Sequence, residues 1–164
     1  MKLNVLMFNQ DDPKKCTAAK LLRFGLVKKI TKISSTTLLL HPYAKKTLLS
    51  SDKNTVHSIT GIDCSWNLVD GIFGNSFSGI SRKLPPLLAG NPVNYSKLNK
   101  LTTVEAISSA AFLLGYESLS YQLMEKFNWG HTFFELNENL LKDYQEASSE
   151  EEISMIIHDY GYQV

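Results

Sequence analysis

The sequence predicts an α/β protein with strands in the front of the chain and helices behind. Three apolar β-type runs, at residues 3–8, 38–41 and 59–63, are each bounded by turn-forming residues. After Leu101, apolar residues recur with helical spacing, and two Ser/Thr-x-x-Glu capping boxes open helices. We therefore expect an α/β N-terminal region over residues 1–65, and a loop-rich segment followed by an all-helical C-terminal region over residues 66–164.

The first strand, residues 3–8, should lead into a helix over about residues 14–24, which Gly25 ends. Thr17 then lies in the first turn of this helix, where backbone N–H groups without helical partners can meet an anion. The later elements are expected to be strands at 38–41 and 59–63 and helices at about 102–115, 117–127, 132–144 and 149–158.

Residues 66–101 interrupt this regular pattern. They contain four glycines and three prolines, which are too many helix and strand breakers for one long element. Long, partly buried loops in compact domains are often functional. Apolar side chains should keep this segment partly buried, namely Leu84, Leu87, Leu88, Ala89, Val93 and Tyr95.

Charge is distributed unevenly along the chain, although the net charge is only +1. Residues 1–50 hold ten basic and two acidic residues, whereas residues 105–164 hold two basic and eleven acidic residues. The acidic end fits solvated helix faces. The basic end fits either a soluble surface or a footprint for a polyanion such as RNA. Its cluster is Lys14, Lys15, Lys20, Arg23, Lys28, Lys29 and Lys32.

Several classes of site and location are disfavoured. The two cysteines form no CxxC pair and have no histidine at ligand spacing, and the four histidines are scattered, so we expect no metal site. No P-loop or GxGxxG motif is present. The N-terminus does not resemble a signal peptide, and no apolar stretch is long enough to cross a bilayer. We therefore expect a cytoplasmic protein that does not insert into membranes.

The stretch Asp63-Cys64-Ser65-Trp66 is the strongest candidate for a site. It directly follows a buried strand, and α/β proteins hold ligands at the carboxyl ends of their strands. Asp63 either caps the following turn or faces a ligand, and Trp66 either fills the core or lines a pocket. Cys64 and Ser65 lack the partners of a catalytic nucleophile and are interpreted as structural.

Several separated segments, taken together, resemble the ribosomal RNA aminocarboxypropyltransferases of small-subunit biogenesis. The resemblance runs from about residue 3 to residue 144. The segments are Asp12-Pro13-Lys14-Lys15-Cys16-Thr17, Lys20-Leu21, Gly25-Leu26-Val27, Ile62-Asp63-Cys64-Ser65-Trp66, Arg82-Lys83-Leu84-Pro85, Gly90-Asn91-Pro92-Val93-Asn94-Tyr95, Leu101-Thr102-Thr103-Val104-Glu105-Ala106 and Lys126-Phe127-Asn128-Trp129-Gly130-His131.

This resemblance implies a fold similar to the SPOUT methyltransferases, with a deep trefoil knot that holds S-adenosylmethionine. It implies transfer of the 3-amino-3-carboxypropyl group, rather than the methyl group, to N3 of an (N1-methyl)pseudouridine in small-subunit rRNA. Methylthioadenosine would be the second product. The implied partner is small-subunit rRNA or the pre-ribosomal subunit. Two alternatives stay open: a SPOUT-type RNA methyltransferase, and a non-enzymatic rRNA-binding assembly factor.

The resemblance also assigns cofactor contacts to individual residues. Thr17 and Thr103 would hold the carboxylate of the aminocarboxypropyl arm, each from the first turn of a helix. The backbone of Ile62 would meet the ribose hydroxyls. Leu84 and the backbone of Asn99 would contact adenine, although Asn99 replaces an aromatic residue that is common in the family, so stacking is not expected there.

Two further residues would act on the chemistry itself. Trp66 would enclose the S-methyl group, so that the chain carbon of the sulfonium is presented to the nucleophile. Asp63 would accept or orient the N3 proton of the target base, or else support the sulfonium charge without proton transfer. Basic residues would contact rRNA phosphates around a splayed-out base. They are Lys14, Lys15, Lys20, Arg23, Lys28, Lys29, Arg82 and Lys83.

Overall fold

The protein was analysed as a computed structural model, which describes residues 1–8, 12, 14–64, 71 and 77–163. Within these residues five strands form one parallel sheet in the order β2-β1-β4-β3-β5. All of its described strands therefore end at the same edge of the sheet. The strands are β1 (Lys2–Met7), β2 (Lys28–Ile30), β3 (Thr37–Leu40), β4 (Ser58–Asp63) and β5 (Ile80–Arg82).

The centre of the sheet is the pair β1 and β4. They are aligned over six residues, from Lys2 opposite Ser58 to Met7 opposite Asp63. The predicted strands at 3–8, 38–41 and 59–63 are confirmed within one residue at each end. The sequence did not indicate β2 and β5, because each has only three residues and neither contains a run of apolar side chains.

Helix α1 (Thr17–Arg23) is shorter than predicted, because Lys14 and Lys15 form a turn ahead of it. Cys16 is its N-cap, and the thiol sulfur accepts a hydrogen bond from the backbone N–H of Ala19 at 3.3 Å. The predicted end is confirmed, since Gly25 has a φ of +68°, a backbone conformation that favours glycine.

The helical C-terminal region is confirmed, with α2 (Thr103–Leu113), α3 (Glu117–Met124), α4 (Gly130–Glu146) and α5 (Glu150–Asp159). Thr102 and Glu105 form the capping box expected for α2. The second predicted box is only half formed. The Ser149 hydroxyl accepts from the Glu152 N–H at 3.2 Å, but the Glu152 carboxylate turns to the N–H of Ser148 at 2.7 Å.

One apolar core joins the two regions and includes residues from Leu3 to Ile153. Helix α2 is almost entirely buried and crosses β4 closely: a Cβ added at Gly61 would lie 3.0 Å from the Ile107 side chain. No helix among the described residues has the length and apolarity needed to cross a membrane.

The expectation of partial burial in the segment before α2 was right for some residues and wrong for others. Leu87 and Ala89 are fully buried. Val93 and Tyr95 are 82% and 57% exposed, so their predicted burial is wrong. The backbone explains this. Residues 91–96 form a turn that projects from the protein surface, and residues 89 and 97 on either side of it are hydrogen-bonded to each other.

Candidate active site

Asp63, the last residue of β4, is buried and lies where three elements meet. The thiol of Cys16 donates to its Oδ2 at 3.2 Å, and the hydroxyl of Thr103 donates to its Oδ1 at 2.9 Å. Cys16 is the N-cap of α1, and Thr103 is the first residue of α2. One carboxylate therefore ties the end of a central strand to the starts of two helices.

The two helix starts also contact each other directly. The Oγ1 of Thr17 accepts a hydrogen bond from the backbone N–H of Val104 at 3.2 Å. The first turn of a helix carries a partial positive charge and N–H groups without helical partners. The junction of α1 and α2 thus places two positive helix ends beside the negative charge of Asp63. The helix ends favour an anionic group of a ligand, whereas the Asp63 carboxylate favours a cationic one.

The sequence argument did not identify Cys16 as part of this site. Burial raises the pKa of its thiol to about 11, and the hydrogen bond to Asp63 and the negative charge of that carboxylate add to the effect. The thiol is therefore protonated at neutral pH and acts as a hydrogen-bond donor. It is a poor nucleophile in this form, because the thiolate is the reactive species. Its position directly before a helix was the available signal, since an N-cap side chain accepts backbone N–H groups.

Glu105 is a second residue whose importance the sequence revealed only in part. It is fully buried, and its carboxylate accepts from the Thr102 N–H at 2.7 Å, as a capping box requires. The same carboxylate also accepts from the Thr102 hydroxyl at 2.8 Å. It also accepts from the N–H groups of Gly90 at 2.7 Å and Asn91 at 3.0 Å, and from the Asn91 side chain at 2.9 Å. Glu105 therefore fixes the 90–91 turn against the start of α2.

The backbone of Ile62 lies beyond the last residue of β4 that pairs with β3. The N–H of Phe8 donates to the Asp63 carbonyl at 3.1 Å, so the peptide groups of Asp63 face the β1 side. Strand alternation then turns the N–H and C=O of Ile62 to the β3 side. β3 pairs with β4 only as far as Thr60, so Ile62 lies beyond this pairing at the carboxyl edge of the sheet.

Leu84 and Asn99 lie on either side, along the chain, of the 90–91 turn that Glu105 holds. Leu84 is half-buried, follows β5 by two residues and packs against the core. Asn99 has a φ of +59°, a conformation that asparagine tolerates better than most residues. Its N–H donates to the Leu87 carbonyl at 2.9 Å, so only its carbonyl or side chain can contact a ligand. Ser65 and Trp66 lie outside the described residues.

The basic residues predicted to bind RNA do not all have the same surroundings. Lys20 is half-buried, with its ammonium 5.5 Å from the centre of the Phe127 ring. Arg82 is bound to the Asp52 carboxylate through Nε at 3.0 Å and Nη2 at 2.8 Å, and it joins β5 to a short 3-10 helix, Ser50–Asn54. The remaining side chains are exposed, namely Lys14, Lys15, Arg23, Lys28, Lys29 and Lys83.

The described part of the chain contains no group of His, Cys, Asp or Glu side chains that could hold a metal ion. The described residues bring two helix ends, the Thr17 and Thr103 hydroxyl groups and the Asp63 carboxylate together at this site.

The similarity to known proteins covers nearly the whole of this chain. A 16S rRNA aminocarboxypropyltransferase of Methanococcoides burtonii is 40% identical over 96% of this chain and 94% of that protein. One of Thermoplasma volcanium is 44% identical over 89% of this chain and 90% of that protein. The chain belongs to the 16S rRNA aminocarboxypropyltransferase family. The family model described as ribosome biogenesis protein, C-terminal, matches residues 38–161 of this chain.

A solved structure supports the fold of this chain. The SAM-dependent rRNA:acp-transferase Tsr3 from Vulcanisaeta distributa is 28% identical and superposes with a TM-score of 0.87, over 99% of this chain and 90% of that one. The mixed α/β architecture with its parallel sheet is thus that of an acp-transferase.

Residues 1–32 of the chain also match a possible Fer4-like domain of RNase L inhibitor. Iron–sulfur clusters of this kind are held by four cysteine thiolates. Residues 1–32 contain a single cysteine, Cys16, and its thiol is bonded to Asp63. The match therefore describes similarity of sequence in β1 and α1 without the ligands of a cluster.

Proposed function

We propose that this chain transfers the 3-amino-3-carboxypropyl group of S-adenosylmethionine to N3 of a pseudouridine, with or without an N1-methyl group, in small-subunit rRNA. The observation that carries the proposal is the junction at Asp63, where a buried carboxylate meets the starts of α1 and α2. One ligand that has both a carboxylate and a reactive cationic centre suits this combination of charges.

The residues at the junction fit the carboxylate of S-adenosylmethionine. Thr17 accepts from Val104 through its oxygen, so its own hydroxyl proton remains available to donate. The only hydroxyl proton of Thr103 is donated to Asp63. A bound carboxylate would thus meet the Thr17 hydroxyl and the Thr103 backbone N–H, or would take the Thr103 hydroxyl away from Asp63.

This competition suggests how Asp63 acts. When the Thr103 hydroxyl turns toward a bound carboxylate, Oδ1 of Asp63 loses its donor and can accept the N3 proton of the target base, while the Cys16 thiol continues to hold Oδ2. S-adenosylmethionine supplies, when bound, a sulfonium whose chain carbon is open to nucleophilic attack. Asp63 is the catalytic residue in this proposal, and Thr103 and Cys16 orient it.

The remaining cofactor contacts follow the borders of the site. Ile62 would offer its N–H and C=O to the ribose hydroxyls, because these groups face the β3 side and lie beyond the last residue that pairs with β3. Leu84 would cover the adenine ring, and the Asn99 carbonyl would accept from its amino group. Trp66 would enclose the S-methyl group and so favour transfer of the longer chain.

The exposed basic residues would hold the rRNA. Lys14 and Lys15 precede α1 and lie near the junction, whereas Lys28 and Lys29 lie on the edge strand β2. The basic surface would therefore extend from the start of α1, near the site, to the edge strand β2. α1 itself has seven residues and is about 10 Å long. Lys20, Arg23 and Lys83 complete the surface. We leave Arg82 out because Asp52 occupies its guanidinium.

We also propose that the chain has the trefoil knot of the SPOUT fold and acts in the cytoplasm on a pre-ribosomal subunit. The proposal of a knot is supported by the topology of the described residues: β5 lies on the far side of β3 from β4, and α2 then begins beside the end of β4. An experimental structure with S-adenosylmethionine bound would test both the knot and the contacts to Ile62, Leu84, Asn99 and Trp66.

A transfer assay tests the function directly. The protein is incubated with S-adenosylmethionine, labelled in the aminocarboxypropyl chain, and small-subunit rRNA that contains pseudouridine, with or without an N1-methyl group, and lacks the aminocarboxypropyl group. We expect label in a single pseudouridine nucleoside and release of methylthioadenosine. Release of S-adenosylhomocysteine with a methylated nucleoside would identify a methyltransferase instead. RNA binding without either product would identify an assembly factor.

A further inference from the structure

Two apolar side chains protrude from the turn that precedes α2. Val93 is 82% exposed and Tyr95 is 57% exposed, and they are two residues apart. Val93 is the most exposed large apolar side chain in the described part of the chain. Single exposed apolar residues are common on protein surfaces, but two so close together in one turn suggest a contact surface.

The backbone of this turn is held firmly although its side chains are uncovered. The Ser96 N–H donates to the Ala89 carbonyl at 2.7 Å, and the Ala89 N–H donates to the Lys97 carbonyl at 3.0 Å. Within the turn, the Asn94 N–H donates to the Asn91 side chain at 3.0 Å. We call residues 89–97 the 89–97 loop. A rigid loop presents its side chains with little loss of conformational entropy on binding.

Two contacts fix the 89–97 loop beside the candidate active site. Glu105 binds the N–H groups of Gly90 and Asn91 with one oxygen, and a Cβ on Gly90 would lie 2.6 Å from the backbone of Phe133. Glu105 lies in the first turn of α2, two residues after Thr103, which is bonded to Asp63. The loop and the buried carboxylate therefore share the same helix end.

The charge along the chain at the loop, from residue 91 to residue 100, is positive. Residues 91–100 contain Lys97 and Lys100, both exposed, and no acidic residue. The next acid along the chain is Glu105, which is buried and hydrogen-bonded through both oxygens. An exposed aromatic ring beside lysines is the chemistry that binds unpaired nucleotides, since every base has a face that can stack.

We propose that the 89–97 loop is a base-stacking platform for rRNA: the Tyr95 ring, with Val93 beside it, stacks on an unpaired base that neighbours the target nucleotide, and Lys97 contacts a phosphate. The inference rests on the proposed function, since it takes rRNA as the partner. A second copy of the chain is a weaker candidate, because a specific protein interface buries about 800 Å² on each side, far more than two side chains provide.

The test compares four variants of the full chain, three at tyrosines and Lys97→Gln. Tyr95→Ala removes the ring, Tyr95→Phe retains it, and Tyr160→Ala removes a 40% exposed tyrosine after α5, where its hydroxyl contacts Asp143. The affinity of each is measured for unmodified small-subunit rRNA transcript at several salt concentrations. A short single-stranded oligoribonucleotide and the same strand annealed to its complement serve as further probes.

We expect Tyr95→Ala to weaken binding to the transcript and the single strand by roughly 5- to 100-fold, the usual effect of losing one stacked base. Tyr95→Phe and Tyr160→Ala should bind within about twofold of the unmodified protein. The salt dependence should be unchanged in Tyr95→Ala, because stacking releases no counterions, whereas Lys97→Gln should reduce its slope by about one phosphate contact.

Three outcomes would overturn the proposal: unchanged RNA affinity in Tyr95→Ala, equal losses in Tyr95→Phe and Tyr95→Ala, or a change in molar mass by light scattering in Tyr95→Ala, which would assign the loop to self-association. S-adenosylmethionine affinity and the melting temperature should not change. Since these measurements need no turnover, a failed transfer assay would reject the proposed function and leave the stacking result interpretable.

Discussion

The Thr103 hydroxyl donates to the Oδ1 of Asp63 at 2.9 Å and so joins the first residue of α2 to the last residue of β4. The Oδ2 of the same carboxylate is held by the Cys16 thiol at 3.2 Å. Both oxygens of a buried carboxylate are therefore directed by side chains that come from other elements. Such a carboxylate has a fixed orientation, which a group that moves a proton at a defined atom requires.

Substitution of Asp63 by Asn tests this role with little change in shape. Asn cannot accept the N3 proton, so turnover should fall by about 100-fold or more, the usual contribution of general acid–base catalysis. S-adenosylmethionine affinity, measured by calorimetry, should change by less than about tenfold, because the Thr17 hydroxyl and the helix ends remain.

Thr103→Ser is the matched control for that variant, since it retains the hydroxyl donor to Asp63 and should keep most of the turnover. If Asp63→Asn loses cofactor binding and turnover to the same degree, Asp63 belongs to the binding site alone. Near-normal turnover in Asp63→Asn would reject any proton transfer to this residue.

The raised pKa of Cys16 gives a defined dependence of stability on pH. The thiol titrates near pH 9 in the unfolded chain and near pH 11 in the folded protein. Its contribution to the free energy of unfolding is therefore complete below pH 9 and is lost as the pH rises through 11, by up to about 2 to 3 kcal/mol. Urea unfolding at pH 8 and at pH 11 measures this loss.

Cys16→Ser is the appropriate comparison, because a serine can cap α1 and donate to Asp63 but does not titrate in this range. The difference in unfolding free energy between the two proteins should shrink or reverse in favour of Cys16→Ser as the pH rises from 9 to 11. Parallel pH profiles would show that the Cys16 thiol is not protected from titration.

The sequence predicted those features that depend on neighbouring residues. The Thr102–Glu105 capping box, the stop at Gly25 and the strand that ends at Asp63 are encoded within a few positions. The Cys16–Asp63 contact spans 47 residues of chain, and no local pattern indicates it. The family resemblance supplied the site residues, and the structure shows that Thr17, Asp63 and Thr103 indeed come together.

The exposure of Val93 and Tyr95 could not be read from residue type either. Apolar residues are buried on average, but the direction of a turn depends on what anchors its ends. Here the anchor is Glu105. Besides its part in the capping box, its carboxylate accepts hydrogen bonds from the 90–91 turn, a contact that only the structure shows. The short strands β2 and β5 were missed for a similar reason, because their position in the sheet comes from pairing and not from an apolar pattern.

Gly90→Ala should destabilise the protein, because the added Cβ would lie 2.6 Å from the backbone of Phe133 and neither backbone can yield easily. Overpacking of this kind costs about 1–3 kcal/mol, which lowers the melting temperature of a chain of this size by about 2–4 °C per kcal/mol. Calorimetry measures the shift. Gly71→Ala is the control, since its added methyl group meets nothing within 4 Å. Equal melting temperatures for Gly90→Ala and the unmodified protein would mean that the 89–97 loop can move away from α4.

Reversal of charge at Lys14 and Lys15 should weaken rRNA binding and reduce its salt dependence. Both side chains are exposed and precede α1 at the candidate site. Each lost phosphate contact should lower the slope of log affinity against log salt by about 0.7–0.9, which filter binding at several salt concentrations can resolve. Lys142→Gln on α4, where the lysine pairs with Glu138, is the control and should bind RNA normally. An unchanged slope in the Lys14 and Lys15 variant would place the RNA surface elsewhere.

Arg82→Lys should affect stability and not RNA binding. Lysine keeps the positive charge but cannot form the two parallel hydrogen bonds that join Arg82 to Asp52. Loss of this bidentate contact in a mostly buried pair should reduce the free energy of unfolding by about 1–3 kcal/mol, measured by urea unfolding. The affinity for rRNA and its salt slope should stay the same at constant charge. A large loss of RNA affinity with normal stability would instead show that Arg82 leaves Asp52 to bind a phosphate, and would return it to the RNA surface.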